Sequence, residues 1–225
     1  MPDVSNESSP GLRERKKLRT RAVLIDAAMD LCLKQGYELT TVEQIAASAD
    51  VSPRTFSRYF PTKDAVFLTL LEDYSDEVAL ELEAVPSGIG PLEAMRRANV
   101  TVLTRVANRQ VGRLSIDRIV LMLRVINASE VLKRAAFEFR HDATAVVLAK
   151  RMGVNVEDRR ARLVNVIFSA TIVDACGDLI ADTETVRLGP TVMVDRLNEA
   201  FGQVAAMSSD LQCPPAGADY ETVYG

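Results

Sequence analysis

Six cationic side chains and one carboxylate occupy the nine residues from Arg13 to Arg21. Positive charge at that density can neutralise successive backbone phosphates, which makes a polyanion the first partner to consider. Arg15, Lys16, Lys17 and Arg19 are the candidate cations. Further along, Arg54, Thr55, Ser57, Arg58 and Tyr59 surround the aromatic pair Phe56 and Phe60, four residues apart. Arginine can fork onto O6 and N7 of guanine, threonine can offer a hydroxyl or meet a thymine methyl, and serine or tyrosine can hold a phosphate. Catalytic chemistry has little to work with. The chain has one histidine, His141, and that scarcity removes several designs, the H-E-x-x-H zinc site among them. Glu138-Phe139-Arg140-His141 is one E-x-x-H, whereas a di-iron bundle needs the motif twice. Cys32, Cys176 and Cys213 are odd in number and widely spaced, so reduced thiols are expected in place of a disulfide framework, and buried inert thiols in place of redox sensors. No enzyme activity, cofactor or metal is expected.

The elements that position the basic and recognition residues follow from local signals. Leu24, Ala27, Ala28, Leu31 and Cys32 lie on one helical stripe that Gly36 closes. Thr40 and Glu43 read as a capping box that starts a second, short helix with Val42, Ile45 and Ala46 on its buried face. Ser52-Pro53 then starts a third over 53–60, with a hydroxyl acceptor at the N-cap and a proline where its missing N–H costs nothing. Phe56 and Phe60 must face inward, which leaves the polar residues outside. Two short helices joined so closely form a helix-turn-helix, whose second helix offers its N-terminal half to the major groove. Thr62 caps a fourth helix, with Lys63 placed to meet a phosphate beside the groove.

Charge follows the same division. The 225 residues carry a net charge of −4, yet residues 11–63 are at +4 and the remainder at −8. With 48% apolar and 26% charged residues the composition is that of a soluble globular chain, and no apolar run approaches the ~20 residues of a membrane span. The N-terminus has no basic start followed by an apolar stretch, so the cytoplasm is the expected compartment.

From Leu24 to Val66 the sequence, with its alanine-rich first helix, Gly36-Tyr37, Thr41-x-x-x-Ile45-Ala46, Val51-Ser52, Tyr59-Phe60 and Thr62-Lys63-Asp64, resembles the N-terminal domain of the tetracycline-repressor (TetR) family of transcriptional regulators. One position departs from the pattern: Asp50 stands where the family has glycine in the turn between the second and third helices. The resemblance implies that Arg54, Thr55, Ser57 and Arg58 face base edges or nearby phosphates, and that Thr41, Tyr59 and Lys63 hold backbone. Ser52 is a DNA-binding candidate that its cap alone would explain.

The expected fold is all-α: a mobile tail over 1–11, a three-helix DNA-binding domain over 12–62, a larger helical effector-binding and dimerisation domain over 63–207, and a mobile tail over 208–225. In the larger domain the fourth helix continues through Tyr74 and Val78, and further helices are drawn at 92–108, 113–127, 130–152, 156–181 and 190–207. The resemblance further implies a homodimer through the last two helices, on stripes Leu163, Val166, Ile167, Ala170 and Met193, Leu197, Ala200, Phe201, Val204, and a palindromic operator in double-stranded DNA. It also implies a small-molecule effector that releases a repressor. Met95, Met122, Ile126, Phe137, His141, Phe168 and Asp174 are the candidate pocket residues, with His141 or Asp174 as the polar marker. The alternatives are a regulator without a small-molecule effector, acting as an activator or controlled by a partner, and a helical metal-binding protein.

Overall fold

The computed structural model describes residues 12–109, 111–139, 142–179 and 189–209. Among them are ten helices and no strand: α1 Leu12–Gln35, α2 Val42–Ser48, α3 Pro53–Tyr59, α4 Lys63–Ala84, α5 Pro91–Asn108, α6 Ile116–Ala128, α7 Glu130–Glu138, α8 Asp142–Met152, α9 Arg159–Cys176 and α10 Pro190–Ser209. The expected tails lie outside the described residues, apart from Ser208 and Ser209, which belong to α10.

In the head, α1 to α3, short-range rules decide most of the geometry. The basic run is not a tail but the first turns of α1 itself, built from Arg, Lys and Leu, all good helix formers. Gly36 ends α1 at φ +85, and its N–H donates to the Cys32 carbonyl at 2.9 Å. The box that starts α2 is made by Thr41 and Gln44, one residue later than Thr40 and Glu43. The Thr41 hydroxyl accepts from the Gln44 N–H at 3.2 Å, and the Gln44 side-chain oxygen accepts from the Thr41 N–H at 2.9 Å. Thr40 is buried instead and donates its hydroxyl to the Gly36 carbonyl at 2.8 Å. Asp50 takes the left-handed φ of +53 in the turn before α3, the conformation for which glycine is the usual choice. Ser52 caps α3, and the helix ends at Tyr59 because Phe60 turns extended.

The larger part is a box of helices in which α4 packs on α5 and α8, and α10 on α5 and α9. Three of its boundaries differ from the sequence reading. Arg113 lies in a tight turn closed by a Val111 and Leu114 bridge, with Gly112 at φ +55, so α6 starts only after its Ser115 cap. The single helix expected over 130–152 is two, because Phe139 leaves the helical conformation at the end of α7. The helix expected over 156–181 is α9, capped by Asp158, whose carboxylate accepts from the Arg160 N–H at 2.8 Å. Arg151 of α8 is clasped onto the end of α4, donating to the carbonyls of Val85 at 2.6 Å and Pro86 at 2.8 Å. These are carbonyls that the end of a helix leaves without an internal partner.

Candidate nucleic-acid interface and ligand cavity

The recognition surface begins with what holds α3. Phe56 and Phe60 are 1% and 3% exposed and pack against each other with ring centroids 5.7 Å apart, fixing the inner side of the helix. Arg54, Ser57 and Arg58 therefore point outward and are exposed, with Thr55 half-buried. Ser52 accepts from the Thr55 N–H at 3.1 Å, and Ser57 donates to the Pro53 carbonyl at 3.1 Å, so both hydroxyls already serve the helix while staying exposed. The Arg58 guanidinium lies 5.2 Å from the Tyr59 ring centroid. The Tyr59 hydroxyl is held below the usual phenol range, first by a hydrogen bond with Thr20 and then by Arg58 and Lys17. Tyr59 thus joins α3 to the basic turns of α1, where Arg15, Lys16, Lys17 and Arg19 are all exposed. Thr41 is exposed as the α2 cap.

Lys63 at the start of α4 and Arg21 of α1 are already engaged within the protein. Lys63 donates to the Tyr37 carbonyl at 2.9 Å and sits 3.9 Å from the Tyr37 ring centroid, which leaves part of its donor capacity for a phosphate. Tyr37 is itself bonded to Asp64, and burial followed by that bond pushes its phenol far up. Arg21 pairs with Glu72 at 3.2 Å and covers the Phe60 ring.

The helical box holds a partly open cavity of about 150 Å³ with mainly apolar walls. Met95, Met122, Ile126 and Phe168 of the expected set line it. Phe137 and Asp174 do not. Phe137 is 41% exposed on the outer side of α7. Asp174 is exposed because it follows the lining residue Ile172 by two positions, about 200° around α9. His141 lies outside the described residues. The sequence reading missed Tyr74, Asn99, Lys133, Phe139, Asn165 and Ser169 on the walls. Asn99 carried a signal: it is a polar residue on the same face of α5 as the buried Met95 and Val102. Its side-chain oxygen accepts from the buried Tyr74 hydroxyl at 2.8 Å, and its N–H₂ donates to the Met95 carbonyl at 2.8 Å. Cys176 is on the wall as well, with burial holding its thiol up at about 12, and burial likewise holds Cys32 at about 11, so both are inert thiols.

A chain of ion pairs links the cavity helices to the head. Arg118 of α6 reaches Asp26 of α1 at 3.1 Å and Asp73 of α4 at 3.4 Å. On the outside of the box, Leu163 and Val166 of α9 are 56% and 42% exposed, and Ala170 is exposed in line with them. Met193, Leu197 and Phe201 of α10, expected on a dimer face, instead turn into the core of the same chain, where Phe201 stacks on Phe168.

The profile of bacterial regulatory proteins of the tetR family matches residues 24–70. Over 188 residues, 80% of this chain and 82% of the relative, the sequence is 38% identical to the HTH-type transcriptional regulator TcmR of Streptomyces glaucescens. The HTH-type transcriptional regulator RutR of Escherichia coli (strain K12) is 31% identical over 86 residues, 38% of this chain and 41% of RutR. Among solved structures, Thermus thermophilus FadR, a TetR family transcriptional repressor in complex with lauroyl-CoA, superposes on 88% of this chain and 100% of its own. The TM-score is 0.50 and the identity 24%, a likeness of fold.

Proposed function

The chain belongs to the tetR family of bacterial regulatory proteins, a DNA-binding transcriptional regulator and not an enzyme, and we propose that it is a homodimeric repressor of a palindromic operator, released by a small-molecule effector. The observation that carries the reading is the exposed face of α3, where Arg54, Ser57 and Arg58 project from a helix plugged from behind by Phe56 and Phe60. One such head covers a half-site, and a two-fold dimer brings a second recognition helix to the next major groove. The exposed apolar stripe of α9 supports α9 and α10 as the dimer face, with Leu163, Val166 and Ala170 at its centre. The working division is a reading head over 12–62 and an effector and dimer domain from residue 63 onward. The site of action is the bacterial cytoplasm, and no described helix is long and apolar enough to cross a membrane.

Release requires that the effector bind the DNA-free conformation better than the DNA-bound one. The cavity supports that route because α4 and α6 both line it and both run to the head. Arg118 ties α6 to α1 and α4 at that junction, so a shift of α6 on ligand entry pulls on α1. The test is fluorescence-anisotropy binding to the upstream region of its own gene and to scrambled DNA across a salt series, with Arg58→Ala alongside. Preferential, dimer-stoichiometric binding that depends on Arg58 supports the reading. Equal binding to both DNAs, followed by failure to select a palindrome from random DNA, overturns it. Arg118→Ala is expected to leave operator affinity within a few fold and to reduce effector-driven release by about 0.5–2 kcal/mol of coupling.

A further inference from the structure

The charge lining the cavity is one-sided. Among the described residues on its walls Lys133 is the one ionisable group of fixed charge, and no aspartate or glutamate lines it. The partner of Lys133 is Glu130, three residues before it on α7, at 3.1 Å; the carboxylate side chain is 88% exposed while the lysine is 28% exposed. An ion pair with one member so fully in water holds the ammonium weakly. A ligand carboxylate arriving from the cavity side would meet the same ammonium in a less polar setting, where the attraction is stronger. α7 packs on α9, and α9 presents Asn165 and Ser169 to the cavity one turn apart. Neither side chain hydrogen-bonds another described residue, so an amide and a hydroxyl are available on the wall that α7 adjoins. Phe168, Phe139, Met122 and Met95 supply flat and adaptable apolar surface for the rest of the molecule. A cation would face the reverse situation, desolvated against these walls with Lys133 as its charged neighbour.

We propose that the cavity selects an apolar organic anion, a body of about one or two rings whose carboxylate or acidic phenol pairs with Lys133 and hydrogen-bonds Asn165 and Ser169. The inference rests on the effector reading above and adds the charge of the ligand to it. A cavity of about 150 Å³ suits a body of that size before the walls relax.

The test uses three probes of one shape: naphthoate, the neutral naphthamide and the cationic naphthylmethylammonium, titrated calorimetrically into the full-length protein at neutral pH. The variants are Lys133→Met, Lys133→Gln and Met122→Trp, the last to fill the cavity, each checked for native helicity and operator binding. The expected result is that the wild type binds naphthoate about tenfold more tightly than naphthamide, with the cation weakest. Both Lys133 variants should lose that preference while keeping their affinity for naphthamide. Naphthamide or the cation binding the wild type as tightly as naphthoate, or a preference that survives in both Lys133 variants, overturns the charge assignment. The effector reading fails separately, and the assignment with it, if no probe binds a wild type that still binds DNA, or if a correctly folded Met122→Trp binds all three unchanged.

Discussion

The recognition face and the cavity both set polar groups on helices, but the bonds that fix them have different reach. On the face most bonds close within three or four residues, Ser52 with Thr55, Ser57 with Pro53, Thr41 with Gln44 and Thr62 with Ala65, and the longer ties are Tyr59 with Thr20 and Lys63 with the Tyr37 carbonyl. Around the cavity the bonds between helices reach further, Tyr74 to Asn99 and Asn127 to the Cys176 carbonyl, beside the local bond of Asn99 to the Met95 carbonyl, and elsewhere in the box Arg151 reaches Val85. A surface built mainly from local bonds keeps its shape when the rest of the protein shifts. A cavity held by bonds between distant helices changes shape whenever those helices slide. The head is thus held chiefly along its own short helices, and the cavity between helices far apart in the chain.

The largest effect that separates the two regions is expected from Phe56→Ala, which empties the small core behind α3. The cost is ~3–5 kcal/mol, read as a fall in the urea midpoint by circular dichroism, with operator binding lost along with the fold of the head. Unchanged stability would show that the recognition helix is held by its caps alone. Next comes Arg151→Met, which removes the charged donors from the Val85 and Pro86 carbonyls at a cost of ~1.5–3 kcal/mol. Operator affinity per folded dimer should stay the same, and a parallel loss would mean that the head does not keep its shape independently of the box.

On the face itself, Arg58→Ala is expected to cost ~1–3 kcal/mol in operator binding and to relax preference at one base pair. Lys63→Ala should weaken binding to all sequences and lower the salt slope by about one. Because Lys63 also holds the Tyr37 carbonyl, an unchanged slope would assign the ammonium wholly to joining α1 and α4. The smallest effect is Asp50→Gly: relieving a left-handed aspartate should raise stability by ~0.5–1 kcal/mol in thermal melts and leave sequence preference untouched.

This difference in reach also explains what the sequence revealed. Gly36, Ser52-Pro53 and Thr62 each act on neighbours within one turn, so they could be read without knowing what packs where. Even there, adjacent Thr40 and Thr41 were equivalent by type, and only the burial of Thr40 makes Thr41 the cap. The break between α7 and α8 had no such mark, because residues 130–152 contain neither proline nor glycine. On an unbroken helix Phe137 and His141, four residues apart, would share a face. α7 faces the cavity with Lys133 and Ala136 and leaves Phe137 outside, and the turn that ends the helix brings Phe139 to the wall. The apolar stripe of α10 was visible as a stripe, but apolar periodicity does not distinguish a neighbour in the same chain from one in a partner. Met193, Leu197 and Phe201 face their own core, and Leu163 and Val166 remain outward.

The helix shared by head and box has a mechanical consequence. α4 begins at Lys63, next to the recognition helix, and lines the cavity with Leu71, Tyr74, Ser75 and Val78, Tyr74 lying eleven residues beyond Lys63. At 1.5 Å per residue those eleven steps make a lever arm of ~16 Å. A tilt of ~10° about the cavity end swings the far end by ~3 Å, a gain that requires no unfolding and only a small displacement at the cavity wall. In a symmetric pair the two swings are mirrored by the two-fold axis, so their contributions to the distance between reading heads add. Successive major grooves on one side of DNA lie a fixed ~34 Å apart, which turns a modest change at the fulcrum into a mismatch of gauge.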